Sequence, residues 1–82
     1  MLKTRFEILE ADHDSAVAQL IENQINLRML EEKVIITVPG EEYNKLAESV
    51  KVRRGNVEHI SNVISTIEKM MEEEKKCQEN SN

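Results

Sequence analysis

Apolar or small residues recur at spacings of three and four along the first 34 residues of the chain. Only His13 and Asn23 place a polar residue where the pattern calls for an apolar one. This spacing predicts one face of a helix that packs against another helix. The positions that form the row are Leu2, Phe6, Leu9, Ala16, Leu20, Leu27, Leu30 and Val34.

The beginning of this segment leaves two interpretations open. Residues 11–15 carry short polar side chains, which compete with the backbone for hydrogen bonds and often mark a helix start. If Asp12 or Asp14 is an N-cap, residues 3–10 form a separate strand and the helix begins near Ser15. Otherwise one long helix covers the whole segment.

The segment Val34-Ile35-Ile36-Thr37-Val38 is the strongest strand signal in the chain. All five residues are β-branched, and Pro39-Gly40 follows them directly. Because a lone strand is unstable, it needs a partner in residues 3–10, in residues 50–52 or in a second copy of the chain. The strand therefore favours a dimer.

Two further helices are predicted after Pro39. Residues 41–52 form a short helix that Gly55 ends, and Asn56 is the N-cap of a long C-terminal helix. We expect a mainly α fold with one or two short β-strands, a small α+β protein. Its order is a long N-terminal helical segment, a short strand, a short helix and a long C-terminal helix. Residues 1–71 form one small domain, and residues 72–82 form a frayed, charged tail.

Composition limits the class of protein and the compartment in which it is expected. A chain of 82 residues buries only ~60% of its unfolded surface, so association with another copy would stabilise it. The single Cys77 rules out an internal disulfide, and no apolar run reaches the roughly 18 residues of a membrane span. We expect a cytoplasmic protein without membrane insertion. The net charge of −5 argues against a general nucleic-acid binder, although Lys51, Arg53 and Arg54 form a basic patch.

Residues capable of catalysis do not converge. His13 lies between Asp12 and Asp14, but neighbours on a helix point about 100° apart. His59 and Cys77 have no partner at a suitable spacing, and two glycines are too few for a phosphate-binding loop. We therefore expect no enzymatic activity, no metal site and no cofactor.

Residues 33–71 resemble the ribbon-helix-helix family of dimeric DNA-binding repressors and antitoxins. The resemblance is carried by Lys-Val-Ile-Ile-Thr-Val-Pro at 33–39, Glu-Glu-Tyr-Asn-Lys-Leu-Ala at 41–47, Val-Arg-Arg-Gly at 52–55 and Val-Glu-His-Ile-Ser-Asn-Val-Ile at 57–64. It implies that Lys33 and Thr37 contact bases from a strand in the major groove. It also implies that the start of the last helix, near Asn56, binds a phosphate.

The function predicted first is a non-enzymatic helical interaction module. Such a module would self-associate, with a dimer favoured, and would regulate, bridge or inhibit a protein partner through its amphipathic helices. The ribbon-helix-helix DNA-binding protein is the alternative. The predicted protein interface consists of Phe6, Leu9, Leu20, Leu27, Leu30, Ile60, Ile64, Ile67 and Met71.

Overall fold

Two long helices form an antiparallel hairpin in the computed structural model, which describes residues 4–80. Helix α1 spans Arg5–Ile36 and helix α2 spans Glu41–Asn80, with residues 37–40 between them. The hairpin measures 64 × 22 × 14 Å. Its length agrees with the ~60 Å expected for a straight helix of 40 residues, so α2 sets the long dimension of the molecule.

Helix α1 begins at a capping motif that the sequence interpretation overlooked. The Thr4 hydroxyl oxygen accepts a hydrogen bond from the Glu7 backbone N–H at 3.2 Å, and the hydroxyl lies 3.0 Å from the Glu7 carboxylate. A threonine followed three residues later by glutamate is a recognised helix-start signal. Of the two interpretations that the sequence left open, the structure has the long helix: Asp12 and Asp14 lie inside α1, so neither is an N-cap. Residues 5–10 are helical, and Lys3 lies outside the described residues.

The strand predicted at residues 34–38 is wrong, and the described chain, residues 4–80, contains no β-strand. Helix α1 continues through Ile36, and the backbone becomes extended at Thr37, with φ −90° and ψ 134°. Strand preference is a small effect that depends on having a neighbouring strand to pair with. In the helix the backbone groups bond within the segment itself, and Val34 stays in line with the earlier apolar row. The α+β fold is therefore replaced by a helical hairpin.

Residues 37–40 end one helix and begin the next. The Thr37 N–H donates to the Val34 carbonyl at 3.2 Å, and the Thr37 hydroxyl donates to the Lys33 carbonyl at 2.6 Å. Pro39 disfavours helical backbone at the residue before it, which keeps α1 from continuing. The Asn44 N–H then donates to the Gly40 carbonyl at 3.0 Å, which closes the first turn of α2.

Helix α2 runs without a break across the predicted turn at Gly55. The boundary placed there, with Asn56 as the N-cap of a new helix, is wrong because both residues are interior to α2. Glycine costs a helix interior about 1 kcal/mol relative to alanine, a penalty that packing on both sides can offset. The helix also crosses residue 71 and continues through residues 72–80, the segment predicted to fray.

The two helices meet along a strict heptad pattern that we call the seam. Its positions alternate spacings of three and four, and all of them are buried or half-buried. This is the periodicity of coiled-coil packing. In α1 the seam comprises Phe6, Leu9, His13, Ala16, Leu20, Asn23, Leu27, Leu30 and Val34, and it extends to Thr37 just beyond the helix. In α2 it comprises Tyr43, Leu46, Val50, Arg53, Val57, Ile60, Ile64, Ile67, Met71 and Glu74.

The core of this hairpin is thin. Only Leu9, Ala16 and Val50 are buried among the described residues, with exposures of 7–8%. The other seam residues keep part of their surface in contact with solvent, because each helix has one neighbour instead of several. The total accessible surface is 6576 Å².

Candidate interaction surface

All nine residues of the predicted protein interface lie in the seam. There they face the other helix of the same chain, in line with the helix-on-helix packing that their spacing predicted. Most are half-buried, so the hairpin accounts for much of the apolar surface on which the interface prediction rested. A contact between these residues and another molecule stays a prediction.

A polar pair interrupts the apolar seam near its middle. Arg53 Nη1 donates to Asn23 Oδ1 at 3.0 Å in a partly buried position. Beside it, Arg54 Nη2 donates to Glu31 Oε2 at 2.7 Å on the flank of the seam. A buried asparagine in a coiled coil costs stability but selects one register, because shifted alignments leave its amide without a partner. The Asn23–Arg53 bond does this between two helices of one chain.

The far end of the hairpin carries two more links between the helices. Arg5 Nε lies 3.2 Å from Glu74 Oε2, and His13 Nε2 lies 3.1 Å from Glu68 Oε2. Each contact joins one well-exposed side chain to a half-buried one, and contacts of this kind at a surface contribute about 1 kcal/mol or less. These two contacts join the beginning of α1 to the second half of α2. They fit the same antiparallel register of the two helices as the Asn23–Arg53 hydrogen bond.

The surface of α1 that faces away from α2 is apolar as well. Ile21, Ile25 and Met29 are 50%, 55% and 63% exposed, and we call these three residues the outer stripe. They follow one another at intervals of four, so each is rotated only about 40° from the one before. By the same helical geometry the stripe lies on nearly the opposite side of α1 from the seam. Helix α1 therefore has two apolar faces.

The outer stripe has charged residues of both signs along its edges. Glu22 and Arg28 are exposed, and each lies three residues from Ile25. Arg28 Nε also lies 3.2 Å from Glu32 Oε1 one turn further on. An apolar centre with a charged rim is the composition of a protein–protein contact.

The corresponding surface of α2 is polar. Its outermost positions repeat every seven residues and all are exposed; they are Glu48, Gly55, Asn62, Lys69 and Lys76. Val63, with an exposure of 37%, lies at the flank of the seam. Val52 is 56% exposed on the outer side of α2, but the residues four positions before and after it, Glu48 and Asn56, are polar, so it forms no stripe. The exposed apolar stripe is therefore a feature of α1 and not of α2.

The tip of the hairpin is a second exposed apolar cluster. Ile35, Ile36 and Val38 are 81–82% exposed, more than the residues of the outer stripe. These are residues of the predicted strand. Ile35 and Ile36 lie in the last turn of α1 and Val38 follows the helix, and all three lie outside the seam, which includes only Val34 and Thr37 of this segment. A groove of about 320 Å³ beside them is lined by residues that include Val34, Ala47 and Val50.

The sequence interpretation missed the outer stripe. The row of apolar positions identified from the sequence contains none of the three residues of the stripe. The signal that could have identified the stripe is the spacing of four residues between Ile21, Ile25 and Met29. These residues occupy other heptad positions than Leu20 and Leu27, so they lie on a different side of the helix. The same test applied to α2 shows that Val50 and Val57 are seven residues apart, so the heptad frame is unbroken across Gly55.

Residues with reactive side chains remain scattered in the hairpin. Within residues 4–80 no group of three histidine, cysteine or acidic side chains is arranged to hold a metal ion. His59 and Cys77 are exposed on α2. His13 lies next to Glu68 and bridges the helices instead of lining an enclosed pocket.

The residues predicted to contact DNA lie on helices or at the tip. Lys33 is exposed in the last turn of α1, and Thr37 is its C-cap. Asn56 is exposed in the interior of α2, so the helix N-terminus on which the predicted phosphate contact was based does not lie there. The resemblance to ribbon-helix-helix proteins and DNA binding itself stay predictions.

Comparison of the chain with protein-family models, with curated proteins and with solved structures returned no match. Neither helix, over the residues that the structure describes, contains a stretch long and apolar enough to span a bilayer. A function for this chain is therefore inferred from the physical properties of the hairpin.

Proposed function

We propose that this protein is a non-enzymatic coiled-coil interaction module that self-associates and binds a protein partner through the outer stripe of α1. The observation that carries the proposal is the presence of two apolar faces on one helix. One of these faces forms the seam and packs against α2. The other, formed by Ile21, Ile25 and Met29, is exposed by half or more.

The physical basis is the removal of this face from water. Burying a half-exposed isoleucine or methionine contributes roughly 1 kcal/mol, and three such side chains with their counterparts support a reversible contact. An amphipathic helix of a partner would match a stripe of this spacing, because positions four residues apart on both helices can interdigitate. The hairpin serves as a rigid support that presents the stripe.

Site-specific photocrosslinking tests this proposal. A photoreactive phenylalanine analogue replaces Ile25 in the stripe and, as the matched control, Asn62 on the outer face of α2. Both positions are exposed and lie away from the seam, so neither replacement disturbs the hairpin. After irradiation in an extract of the source cells, we expect adducts with a protein other than this chain at position 25 and none at position 62.

Two further measurements complete the test. Ile21→Asp in the chain that carries the probe at position 25 should remove the adduct, since it places a charge in the stripe. Equal adducts at both positions, or none at position 25, would contradict the proposed function. A gel shift with pooled genomic DNA at low salt tests the alternative, and binding there that weakens steeply with salt would favour DNA over a protein partner.

A further inference from the structure

We propose that a groove at the end of the outer stripe, where Arg53 and Lys33 lie, binds a carboxylate of the protein partner. This inference rests on the proposed function and states the chemistry of the partner, a helix whose apolar row is followed by an aspartate or a glutamate. The outer stripe would contact the apolar row, and the groove would hold the acidic side chain one turn beyond it.

Arg53 is a half-buried cation without a carboxylate beside it. The other arginines of the chain, Arg5, Arg28 and Arg54, each contact a glutamate and have side chains that are 63–78% exposed. Within residues 4–80 Arg53 donates from Nη1 to Asn23 Oδ1 at 3.0 Å and forms no ion pair. Charges withdrawn from water are normally paired. The Nε and Nη2 donors of this guanidinium are therefore suited to an anion from another molecule.

The groove beside Arg53 has a volume of about 400 Å³ and contains a second cation, Lys33. Its other lining residues are Asn26, Met29 and Leu30, so no acidic side chain of the described chain lines it. The Lys33 side chain is exposed and forms no ion pair with another residue in the range 4–80. Two cations beside an apolar wall complement a carboxylate that is carried by an apolar helix.

The groove is continuous with the outer stripe. Met29 belongs to both, and Lys33 follows it at the same interval of four that separates Ile21, Ile25 and Met29. Each step of four turns this row by about 40° around α1, so at Lys33 the row reaches the flank of the seam. When helices pack through ridges of this spacing, the ridges of the two helices interdigitate side by side. A partner whose apolar row contacts the stripe therefore brings its next residue in that row to the groove.

The charge of the whole chain favours a single carboxylate over a polyanion. The net charge is −5, so a nucleic acid or another densely charged anion is repelled at long range. One carboxylate among apolar residues adds little to this repulsion and gains two cations at short range. Arg53 can also bind it through two parallel N–H···O bonds, which selects a planar carboxylate by its geometry.

Three synthetic helical peptides test the inference. Each carries leucines at three positions spaced by four, with one variable residue a turn beyond each end of this row. The variable residues are glutamine in the neutral peptide, glutamate in the acidic peptide and lysine in the basic peptide. Binding to the full chain is measured by thermophoresis. The chain is labelled at its single cysteine, the exposed Cys77, and kept dilute so that copies do not compete for the stripe.

We expect the acidic peptide to bind about fivefold or more tightly than the neutral peptide, and the basic peptide to bind least tightly. A chain with a net charge of −5 would favour the basic peptide through general attraction. The expected order is the reverse, so it reports the local charge of the groove. Equal binding of the acidic and neutral peptides, or tightest binding of the basic one, would overturn the inference.

Two variants assign the preference to the groove. Arg53→Gln keeps a side-chain amide in the seam, and Lys33→Gln changes an exposed position, so the second variant reports on the groove without disturbing the packing. Each should reduce the acidic-to-neutral affinity ratio to about twofold or less. Lys51→Gln is the matched control, because it removes an exposed cation two residues from Arg53, and it should leave the ratio unchanged. A ratio that falls as far in the control would contradict the assignment.

The inference and the proposed function fail in different ways. If the acidic and neutral peptides bind equally and Ile25→Asp abolishes both, the stripe binds a helix and the carboxylate site is excluded. If no peptide binds, the inference is overturned, whereas a photocrosslinked adduct with another protein at position 25 still supports the interaction module. An adduct there that contains only two copies of this chain would make a second copy the occupant and would overturn both.

Discussion

Helices α1 and α2 pack against each other with the same heptad spacing, yet their outer faces differ. The outer face of α1 carries Ile21, Ile25 and Met29, whereas the outermost positions of α2 carry charged or polar residues and Gly55. Helix α2 is thus an ordinary amphipathic helix, whereas α1 is apolar on two sides. Within the hairpin one apolar side of α1 is covered by α2, and the other side is exposed to solvent.

The two faces of α1 also differ in how polar residues interrupt them. The seam contains His13 and Asn23, both of which have partners on α2. The outer stripe contains no polar residue between Ile21 and Met29 at its four-residue spacing. A partly buried polar pair aligns the two helices within the chain, whereas the outer stripe contains no such pair.

The largest effect is expected from a charge in the seam. Val50→Asp should destabilise the hairpin by about 4 kcal/mol, because it buries a carboxylate without a partner at a site that is 7% exposed. Val52→Asp is the matched control on the same helix and should cost less than about 1 kcal/mol at a 56% exposed site. Thermal melting followed by circular dichroism measures both. Equal losses would contradict the seam.

Replacing the polar pair of the seam should raise stability. Asn23→Leu with Arg53→Leu removes the only cross-helix polar contact that is partly buried among the described hydrogen bonds and fills the layer with apolar groups. Such exchanges are commonly stabilising by about 1–3 kcal/mol, at the expense of a unique alignment. Chemical denaturation measures the free energy of unfolding. A double variant less stable than the parent chain would show that the pair is a net source of stability.

Gly55→Ala distinguishes the continuous helix from the predicted turn. In the interior of α2 the substitution should stabilise the protein by about 1 kcal/mol, since alanine is the better helix former. The position has nothing within 4 Å of an added Cβ, so no clash opposes the gain. The change in the urea midpoint measures the effect. A loss of stability would indicate that the chain turns at Gly55, as the sequence interpretation proposed.

The smallest effect is expected at the flank of the seam. Glu31→Gln removes the charge that Arg54 contacts at 2.7 Å, but Arg54 is 63% exposed and the glutamate 35%. Exposed pairs of this kind contribute under about 1 kcal/mol. We expect a change of less than about 0.5 kcal/mol in the free energy of unfolding. A loss above about 2 kcal/mol would mean that this pair, and not the Asn23–Arg53 bond, sets the alignment.

Sequence reasoning identified the apolar row from Phe6 to Val34 because the period of a helix is visible in a single chain, although it left residues 3–10 open between strand and helix. It failed at residues 34–38, where five β-branched residues outweighed the continuing heptad frame in the interpretation. Whether such a segment becomes a strand depends on a neighbouring strand to pair with. Here no neighbouring strand exists among the described residues, whereas Val34 packs in the seam as part of a helix. It failed at Gly55 for a related reason, since a local helix-breaking signal was given more weight than the seven-residue spacing around it.

The candidate site was less accessible from sequence than the fold. Ile21 and Ile25 are apolar whichever face they occupy, and only the seam shows which face is taken within the chain. Once Leu20 and Leu27 are assigned to the seam, the remaining apolar residues of α1 identify the outer stripe. The outer stripe can therefore be identified only once the two-helix packing is known, and the α+β fold expected from the sequence did not reveal it.

Sedimentation equilibrium of the parent chain and of Ile25→Glu tests most directly whether α1 uses its two faces differently. We expect the parent chain to have twice the 9.5 kDa mass of one chain. Ile25→Glu should have the mass of one chain with the same helical content, because the seam is untouched. A variant that keeps the mass of the parent chain, or loses its helices together with its association, would contradict this division.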